Sequence, residues 1–458
     1  MVKSIGGKTL IITIGGGSHE PEMTLKMEGV PAGYTIRGKK INEILGRRAP
    51  GNSPFSTTRK ETDLAYLKEN DNWTPLTDEF QFTTPKNGVL AFIIKNKNHN
   101  SKEYQLELPR PGHADLPAHI KYQGQVNMSG GGPFSGRMTA MYTLAGAVAM
   151  EILATQNIHV GSSILSIGKV SDQSLDLLNP KASAHGLTDE MEQEILRAKA
   201  ELDSVGGVVE GYVTGLDAGI GGPMFDGLET LLSPLLFAIP AVKGVEFGQG
   251  FNGANLKGSQ NNDGILGFNN KKIFTETNNG GGILGGISTG MPLVLRVAFK
   301  PTPSIGKPQK TVNLKTGLCE QLTINGRHDP CIVPRAGVVV EAVMALGILD
   351  AIVSDKKAGL PSNQLGACRE TLNLGALREG IDQLDDMIVE LLNQRMEISK
   401  AVARYKIDNQ VSVKDRRRED QILAKVGDDY KDIYQEIFKV SRKLQQEITD
   451  KHKFIKSK

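Results

Sequence analysis

The amino-acid composition of this chain of 458 residues changes sharply near Leu372. Of its 52 glycines, 49 precede Leu372, and no proline follows Pro361. Charged residues rise from 23% of the whole chain to 34 of the last 87 residues. Glycine and proline are the poorest helix formers, so the front of the chain is predicted to be rich in turns and the tail helical. We therefore expect a first domain over 1–354, a linker over 355–372 and a second domain over 373–458.

The first domain combines predicted strands with predicted helices. Two long apolar runs, 138–154 and 338–352, predict helices that are buried on most sides. Strands and helices do not alternate regularly, which favours an α+β fold over a doubly wound sheet. None of the glycine-rich stretches forms a P-loop or a dinucleotide fingerprint, so a nucleotide is not held in either of those ways. Shorter apolar runs predict strands at 89–94, 208–213, 242–247 and 293–299.

Composition excludes several classes of protein. No run approaches the roughly 18 apolar residues of a membrane span. The net charge of +3 and the low aromatic content argue against nucleic-acid binding. Three cysteines without C-x-x-C spacing argue against a zinc site and indicate reduced thiols. We expect a cytoplasmic enzyme that acts on small molecules, with no metal and with no nucleic-acid or membrane partner.

The second domain is predicted to contain one long amphipathic helix. A helix over 375–406 would be roughly 45 Å long, which is long for a domain of this size. Its apolar seam would stay half exposed unless a second copy of the chain covered it, so we expect a helical dimer. The seam residues recur at steps of four and three, at Leu377, Ile381, Leu384, Ile388, Leu391, Ile398 and Val402.

Polar residues interrupt this seam. Arg395 occupies a seam position, where a guanidinium is costly unless it meets a carboxylate or an anionic ligand. Lys406 faces nearly the same way, whereas Arg378 points about 100° away and could serve the site of a second chain. Ser441 and Gln445 share one face of the last helix. A structural alternative stays open, because Arg395 could pair with a buried glutamate.

Two segments of the first domain bring cations and histidines together. They are R-P-G-H-A-D-L-P-A-H from Arg110 and G-R-H-D-P-C-I-V-P-R-A-G from Gly326. Glycine and proline hold the backbone of both segments in turns. The density of fixed and switchable positive charge favours a small polyanionic substrate whose protons move during the reaction.

The polar positions of the tail resemble those of the all-helical chorismate mutase family. The matching segments are L-R-E-G-I-D-Q-L-D-D, L-L-N-Q-R-M-E-I-S, a lysine, D-x-x-R-E and S-R-K-L-Q, in that order. The resemblance implies an intertwined helical dimer that rearranges chorismate to prephenate by holding it in a compact geometry, without a general base. It implies that carboxylates and the breaking ether are bound by Arg378 (from the second chain), Arg395, Lys406, Arg418 and Gln445. It further implies hydroxyl or substrate contacts for Asp415, Glu419 and Ser441.

Residues 5–353 resemble chorismate synthase. The resemblance implies a helical layer between antiparallel sheets, a tetramer, and 1,4-anti-elimination of phosphate from 5-enolpyruvylshikimate 3-phosphate. It also implies reduced FMN as cofactor, because the ring hydrogen that leaves is not acidic. Whether NADPH reduces the flavin stays open. The motifs that carry the resemblance are R-P-G-H-A-D, S-G-G-G-P-F-S-G-R, A-V-K-G-V-E-F-G, G-G-I-L-G-G-I-S-T-G-M-P, F-K-P-T-P-S-I and G-R-H-D-P-C-I-V-P-R-A.

The resemblance to chorismate synthase implies roles for individual residues. His19 would protonate the flavin, His113 would act as an acid near the leaving phosphate, and Asp350 would help to deprotonate flavin N5. Asp350 could instead be an exposed residue at the end of an apolar helix. The phosphate and carboxylates of the substrate would be held by Arg48, Arg137 and Arg335. The FMN would be lined by Ser135, Ala241, Gly285, Lys300, Pro301, Thr302, Pro303, Ser304 and Arg327.

The chain departs from the family pattern at several positions, and these leave alternatives open. The departures are at Gly17, Glu20, Pro54, Pro133 and Phe134. They are compatible with a front domain that binds flavin or phosphate without turnover. The tail could be a non-catalytic chorismate sensor or a dimerisation module. Our main hypothesis is a bifunctional shikimate-pathway enzyme that makes chorismate and then rearranges it.

Overall fold

The structure is a computed structural model that describes residues 3–51, 63–96, 107–269, 271–324, 329–357, 374–408, 416–426 and 430–456. The chain divides into two compact units, 1–365 and 366–458. Most of the predicted linker over 355–372 lies outside the described residues, so the domain boundaries stay a prediction.

Two antiparallel sheets dominate the first unit. Its described strands are β1 (Lys3–Gly6), β2 (Ile11–Gly16), β3 (Glu22–Glu28), β4 (Thr35–Arg37), β5 (Ala65–Glu69), β6 (Asn72–Pro75), β7 (Gln81–Thr83), β8 (Leu90–Lys95), β9 (His159–Ile167), β10 (Val170–Ser171), β11 (Gly207–Thr214), β12 (Val242–Phe247), β13 (Ile265–Phe268), β14 (Ile273–Thr275), β15 (Ile283–Leu284), β16 (Ile287–Ser288), β17 (Leu293–Phe299), β18 (Gln309–Val312) and β19 (Cys319–Leu322). The sheets have the strand orders β1-β2-β3-β8-β5-β6 and β10-β9-β11-β17-β12. The four predicted strands are confirmed as β8, β11, β12 and β17, to within one residue at each end.

A layer of helices lies between these sheets. The described helices of the first unit are α1 (Gly38–Arg48), α2 (Asp115–Tyr122), α3 (Thr139–Ala154), α4 (Pro180–Ser183), α5 (Asp189–Ala200), α6 (Leu228–Phe237), α7 (Gly258–Asn261) and α8 (Val333–Lys357). Helices α3 and α8 pack on each other, and they are the two apolar helices that the sequence predicts. Helix α3 also contacts β3, while α8 contacts β9 and β11. The predicted helical layer between antiparallel sheets is therefore confirmed.

Helices α3 and α8 approach closely at a glycine. A Cβ added to Gly146 would lie 2.3 Å from both Cα and Cβ of Ala342. Small residues at this crossing let the apolar faces of both helices pack at the density of a protein core. Helix α8 is long and apolar enough to span a membrane, but 94% of its most apolar window is buried inside the protein. It is the central core helix of this unit.

The described part of the second unit is helical. Its helices are α9 (Leu374–Asp408), α10 (Arg416–Val426) and α11 (Lys431–Lys456). Helix α9 has 35 residues and confirms the long helix predicted over 375–406. Helix α11 packs along α9 and also contacts α10. The seam residues Ile398 and Val402 of α9 are 66% and 38% exposed, as expected for a seam that a second chain would cover, while the dimer itself stays a prediction.

Candidate active sites

Two consecutive glycines bring two histidines close together in the first unit. Gly130 and Gly131 have φ values of +60° and +90° within the 3-10 turn Ser129–Phe134, a conformation that residues with a side chain rarely adopt. A Cβ added to Gly130 would lie 1.9 Å from Cε1 of His19, and one added to Gly131 would lie 3.2 Å from Nε2 of His113. Both imidazoles therefore lie against the same turn.

Ser18 orients His19 in the loop that follows β2. Its Oγ donates a hydrogen bond to the carbonyl oxygen of Gly130 at 3.2 Å and lies 3.0 Å from Nδ1 of His19. A hydroxyl that donates to a carbonyl can accept at the same time, so this pair favours a proton on Nδ1. Ser18 is buried, whereas His19 is half-buried. The histidine is thus held in place and is still partly open to a ligand.

Asp115 and Arg110 hold His113 in the R-P-G-H-A-D segment. Nδ1 of His113 lies 2.6 Å from Oδ1 of Asp115, and Arg110 donates to the same carboxylate from Nε and Nη2 at 2.7 and 2.8 Å. Burial by itself would raise the pKa of Asp115, but the hydrogen bonds from Arg110 and His113 outweigh it and hold this pKa well below its usual range. An ionised Asp115 keeps a proton on Nδ1 and leaves Nε2 on the side of Gly131.

Part of the predicted flavin-binding segment lies beside this histidine loop. The amine of Lys300 donates to the carbonyl oxygen of Gly112, and Nη1 of Arg110 donates to Oγ of Ser304 at 3.2 Å. The backbone N–H of Lys300 donates in turn to the carbonyl oxygen of Ala241 at 3.0 Å. Lys300 and Ser304 therefore contact the loop that holds His113, and Ala241 is bonded to the backbone of Lys300.

The other residues predicted to line the flavin have varied positions. Ser135 directly follows the glycine turn. Thr302, from the same segment as Lys300, donates from Oγ1 to the carbonyl oxygen of Asp329 at 2.9 Å. Gly285 lies in the exposed turn between β15 and β16. Arg327 lies outside the described residues.

The three arginines predicted to bind the anions of the substrate form one cluster. Nε of Arg48 donates to Asp63 at 3.0 Å, and Nη1 of Arg137 bonds to the other oxygen of the same carboxylate. Arg335 donates from Nε to the carbonyl oxygen of Arg48 and from Nη1 to Asp329, each at 2.9 Å. Burial lowers the pKa of Arg48 to about 10; Asp63 opposes this shift, and the two neighbouring arginines add to it. Three guanidinium groups beside two carboxylates give the cluster a net positive charge. Arg48 and Arg137 are buried and bound to Asp63, whereas the side chain of Arg335 is 20% exposed.

Asp350 is not the exposed helix end that the sequence left open as an alternative. Asp350 lies in α8 and is 2% exposed. Its carboxylate accepts hydrogen bonds from the backbone N–H groups of Lys8, Thr9 and Leu10 at 2.9, 2.8 and 2.6 Å. A buried carboxylate that satisfies three N–H groups is committed to holding the turn between β1 and β2. Asp350 therefore holds this turn, and its role in deprotonating flavin N5 stays a prediction.

The second unit contains a buried polar site between α9 and α11. Nη1 of Arg395 donates to Oγ of Ser441 at 2.5 Å, and the guanidinium carbon lies 5.7 Å from the ring centroid of Phe438. Gln445, one turn after Ser441, is 8% exposed. Its Oε1 is buried and has no hydrogen-bond partner within the described part of the chain. A buried amide oxygen without a partner is costly, so this position suits a group that donates a hydrogen bond.

The remaining predicted residues of the tail are only partly described. Lys406, near the end of α9, and Glu419, in α10, are half-buried. Arg418, next to Glu419, is exposed. The side chain of Arg378 and the whole of Asp415 lie outside the described residues.

Known proteins resemble this chain over most of its length. A family model described as chorismate synthase matches residues 10–353. The chain belongs to the chorismate synthase family. It is 40% identical over 368 residues to the chorismate synthase of Korarchaeum cryptofilum, covering 78% of this chain and 99% of that protein. The chorismate synthase of Thermococcus kodakarensis is 42% identical over 356 residues, with 76% and 97% covered. A crystal structure of chorismate synthase matches with a TM-score of 0.58 and 26% identity, over 76% of this chain and 93% of that chain.

The second unit matches a second enzyme family. A family model described as chorismate mutase type II matches residues 377–446. The two synthases named above are covered almost completely by about three quarters of this chain, so the mutase region is an addition to the synthase. The chain thus joins a chorismate synthase, which is a lyase, to a chorismate mutase, which is an isomerase. The two matches together support a bifunctional enzyme of the shikimate pathway.

Three carboxylates of the synthase site were not predicted from the sequence: Asp63, Asp115 and Asp329. Asp115 and Asp329 do belong to the two cationic motifs, where an aspartate close to an arginine and a histidine is a usable signal of an ion pair. Asp63 has no such signal, because it meets Arg48 and Arg137 only through the tertiary fold. These carboxylates decide how the histidine and the arginines of the chorismate synthase are oriented.

Proposed function

We propose that the first unit removes phosphate from 5-enolpyruvylshikimate 3-phosphate to give chorismate, with reduced FMN as its cofactor. The observation that supports this most directly is the position of His19 and His113 against one glycine turn. The substrate carries a phosphate and carboxylates, and guanidinium groups bind such anions through paired hydrogen bonds. The guanidinium groups that we assign to the substrate anions are those of Arg48, Arg137 and Arg335.

In this proposal each histidine holds one of the protons that the reaction needs. His113 in its protonated form donates from Nε2 to the oxygen of the leaving phosphate, while Asp115 stabilises the imidazolium through Nδ1. His19, held by Ser18, provides the proton that balances the charge of the flavin. When bound, reduced FMN would supply electron density as the C–O bond to phosphate breaks and would regain it as the ring hydrogen leaves, so that there is no net redox change.

The residues around Lys300 fit the phosphate group of FMN. Burial lowers the pKa of Lys300, and the nearby amine of Lys243 lowers it further. A phosphate beside the two amines would relieve this repulsion. We assign the cofactor to this region, with Ser135, Ala241, Gly285, Arg327 and Pro301 to Ser304 completing its lining. Reduction of the flavin by NADPH stays an expectation from the family resemblance.

The second unit, in this proposal, converts chorismate to prephenate by restricting its conformation. The buried amide of Gln445 together with the guanidinium of Arg395 supports this assignment. The amide N–H of Gln445 donates to the breaking ether, whose oxygen can only accept, and the guanidinium binds a carboxylate. The rearrangement needs no proton transfer. Further contacts are assigned to Lys406, Asp415, Arg418, Glu419, Ser441 and, from a second chain, Arg378.

A second candidate for the tail is a module that dimerises the synthase or senses chorismate. The exposure of Ile398 (66%) and Tyr405 (65%) on α9 favours a helix face that another chain covers. Dimerisation is compatible with both candidates, whereas formation of prephenate belongs to the mutase alone. We propose a homotetramer in the cytoplasm in which the tails also pair, acting on small molecules without nucleic-acid or membrane partners.

One anaerobic assay tests both activities. The full-length chain is mixed with photoreduced FMN and 5-enolpyruvylshikimate 3-phosphate, and phosphate, chorismate and prephenate are followed together. We expect phosphate and prephenate to be formed in equal amounts, with chorismate as a transient. Release of phosphate together with accumulation of chorismate would support the sensing or dimerisation module. No phosphate release would instead indicate that the departures at Gly17, Glu20, Pro54, Pro133 and Phe134 have cost the synthase its turnover.

A further inference from the structure

Arg442 connects α11 to α10 through Glu419. A single nitrogen, Nη1 of Arg442, lies 2.7 Å from both Oε1 and Oε2 of this carboxylate. The two side chains are 32% and 22% exposed, whereas those of the Lys439–Glu436 pair on the same helix are 61% and 68% exposed. A shielded pair in which both oxygens are bound fixes the direction of the carboxylate, which an exposed lysine pair does not.

Arg442 lies at the edge of the proposed mutase site. It directly follows Ser441, which binds Arg395, and it precedes Gln445 by three residues. At 3.6 residues per turn, Arg442 and Gln445 are about 60° apart around the axis of α11. Ser441 and Gln445 are 6% and 8% exposed. The turn of α11 that presents two buried site residues therefore also holds Glu419.

The geometry of this pair leaves Glu419 able to bind a hydroxyl group. A carboxylate has about four lone-pair positions, and Nη1 of Arg442 approaches between the two oxygens. The outer lone pairs of both oxygens point away from Arg442 and can accept a hydrogen bond from a ligand. The guanidinium thus compensates the charge of the carboxylate without taking the positions that a hydroxyl would use.

We propose that Arg442 is a positioning residue for the mutase reaction, holding Glu419 in the orientation in which its carboxylate accepts the ring hydroxyl of chorismate. This inference rests on the proposed mutase site and adds a residue to it. Without Arg442 the carboxylate of Glu419 is free to rotate toward water. Its hydrogen bond to the hydroxyl is then weaker, both in bound chorismate and in the transition state.

The test compares chorismate with an analogue in which the ring hydroxyl is replaced by hydrogen. Prephenate formation, or the corresponding rearrangement of the analogue, is measured for the full-length chain and for R442Q, R442K, E419Q and the E419Q/R442Q double variant. We expect R442Q to lower kcat/KM for chorismate about 10- to 100-fold, the effect of a lost charge-assisted hydrogen bond. R442K should recover part of the loss. On the analogue, R442Q should differ from the wild type by less than about twofold.

A matched control separates this role from a purely structural one. K439Q removes the cation of the exposed Lys439–Glu436 pair on α11 and should leave kcat/KM for both substrates unchanged. The double variant should be no slower than E419Q, since both changes remove the same contact. Equal losses on chorismate and on the analogue would overturn the proposal, because they would show that Arg442 only packs α10 against α11. Thermal unfolding of each variant is followed alongside.

The outcome also distinguishes this proposal from the function on which it rests. A wild-type chain that binds chorismate without converting it would overturn the mutase assignment, and the positioning role with it. An active wild type with a fully active R442Q would overturn the positioning role alone.

Discussion

Gly130 lies against His19 with no room for a side chain between them. A methyl group at Gly130 would lie 1.9 Å from Cε1 of the imidazole, and the φ of +60° would cost a residue with a Cβ about 1–2 kcal/mol. We expect Gly130→Ala to displace His19 and to lower phosphate release by the synthase about 100-fold, the usual contribution of a positioned proton donor. The assay uses fully reduced FMN, so that flavin reduction does not limit the rate.

Gly136 provides the control for this change. It is exposed and lies in the same glycine-rich motif, and an added Cβ would have nothing within 4 Å. Gly136→Ala should keep the activity of the wild type. Equal losses of phosphate release in both variants would contradict the prediction that Gly130 matters because it lies against His19.

Asp115 is expected to matter for both activity and acid stability. Asp115→Asn removes the charge that stabilises a protonated His113, and we expect phosphate release to fall about 100-fold. The pKa of Asp115 is lowered in the folded state, so its contribution to stability is present above the unfolded pKa of about 4 and is lost as the pH falls through the folded value. Urea unfolding of the wild type and of Asp115→Asn at pH 7 and pH 3 measures this. The difference in free energy of unfolding should be larger at pH 7, and a larger difference at pH 3 would contradict the assigned direction.

Arg395 is expected to be required for the mutase and not for the synthase. Arg395→Ala removes the guanidinium at the buried site and should lower prephenate formation about 100- to 1000-fold. Phosphate release by the same chain should stay unchanged. The exposed Arg404, on the same helix, gives the matched variant Arg404→Ala, which should retain both activities. Loss of both activities in Arg395→Ala would indicate a folding defect or coupling between the two reactions.

Asp350 is expected to contribute stability and no chemistry. Asp350→Asn leaves a side chain that cannot accept all three hydrogen bonds from the turn between β1 and β2, and we expect the free energy of unfolding to fall by about 1–3 kcal/mol. The kcat for phosphate release should stay near that of the wild type at a temperature where the variant is folded. Denaturant unfolding and the anaerobic assay measure the two quantities. A loss of kcat without a loss of stability would support the predicted role of Asp350 at the flavin.

The sequence by itself determined the two architectures, four of the described strands (β8, β11, β12 and β17) and the long helices α3, α8 and α9. The loss of glycine and proline after residue 372 and the apolar period of α9 act over a few residues, so they can be read without knowledge of distant contacts. The same holds for the apolar runs that became α3 and α8. Motif resemblance predicts His19, His113 and Arg395 as site residues, and the residues next to them in the sequence form the local turns and helix faces that carry them.

Only the tertiary structure decided which charges meet. Asp350 bonds to a turn about 340 residues earlier in the chain, and Asp63 meets Arg48 and Arg137 where separate segments converge. Hydrogen bonds and ion pairs act over a few ångströms of space, and no local periodicity encodes which distant segments will be brought within that distance. The functional meaning of each carboxylate in this enzyme, whether it holds a turn, a histidine or an arginine, therefore follows from packing and not from sequence pattern.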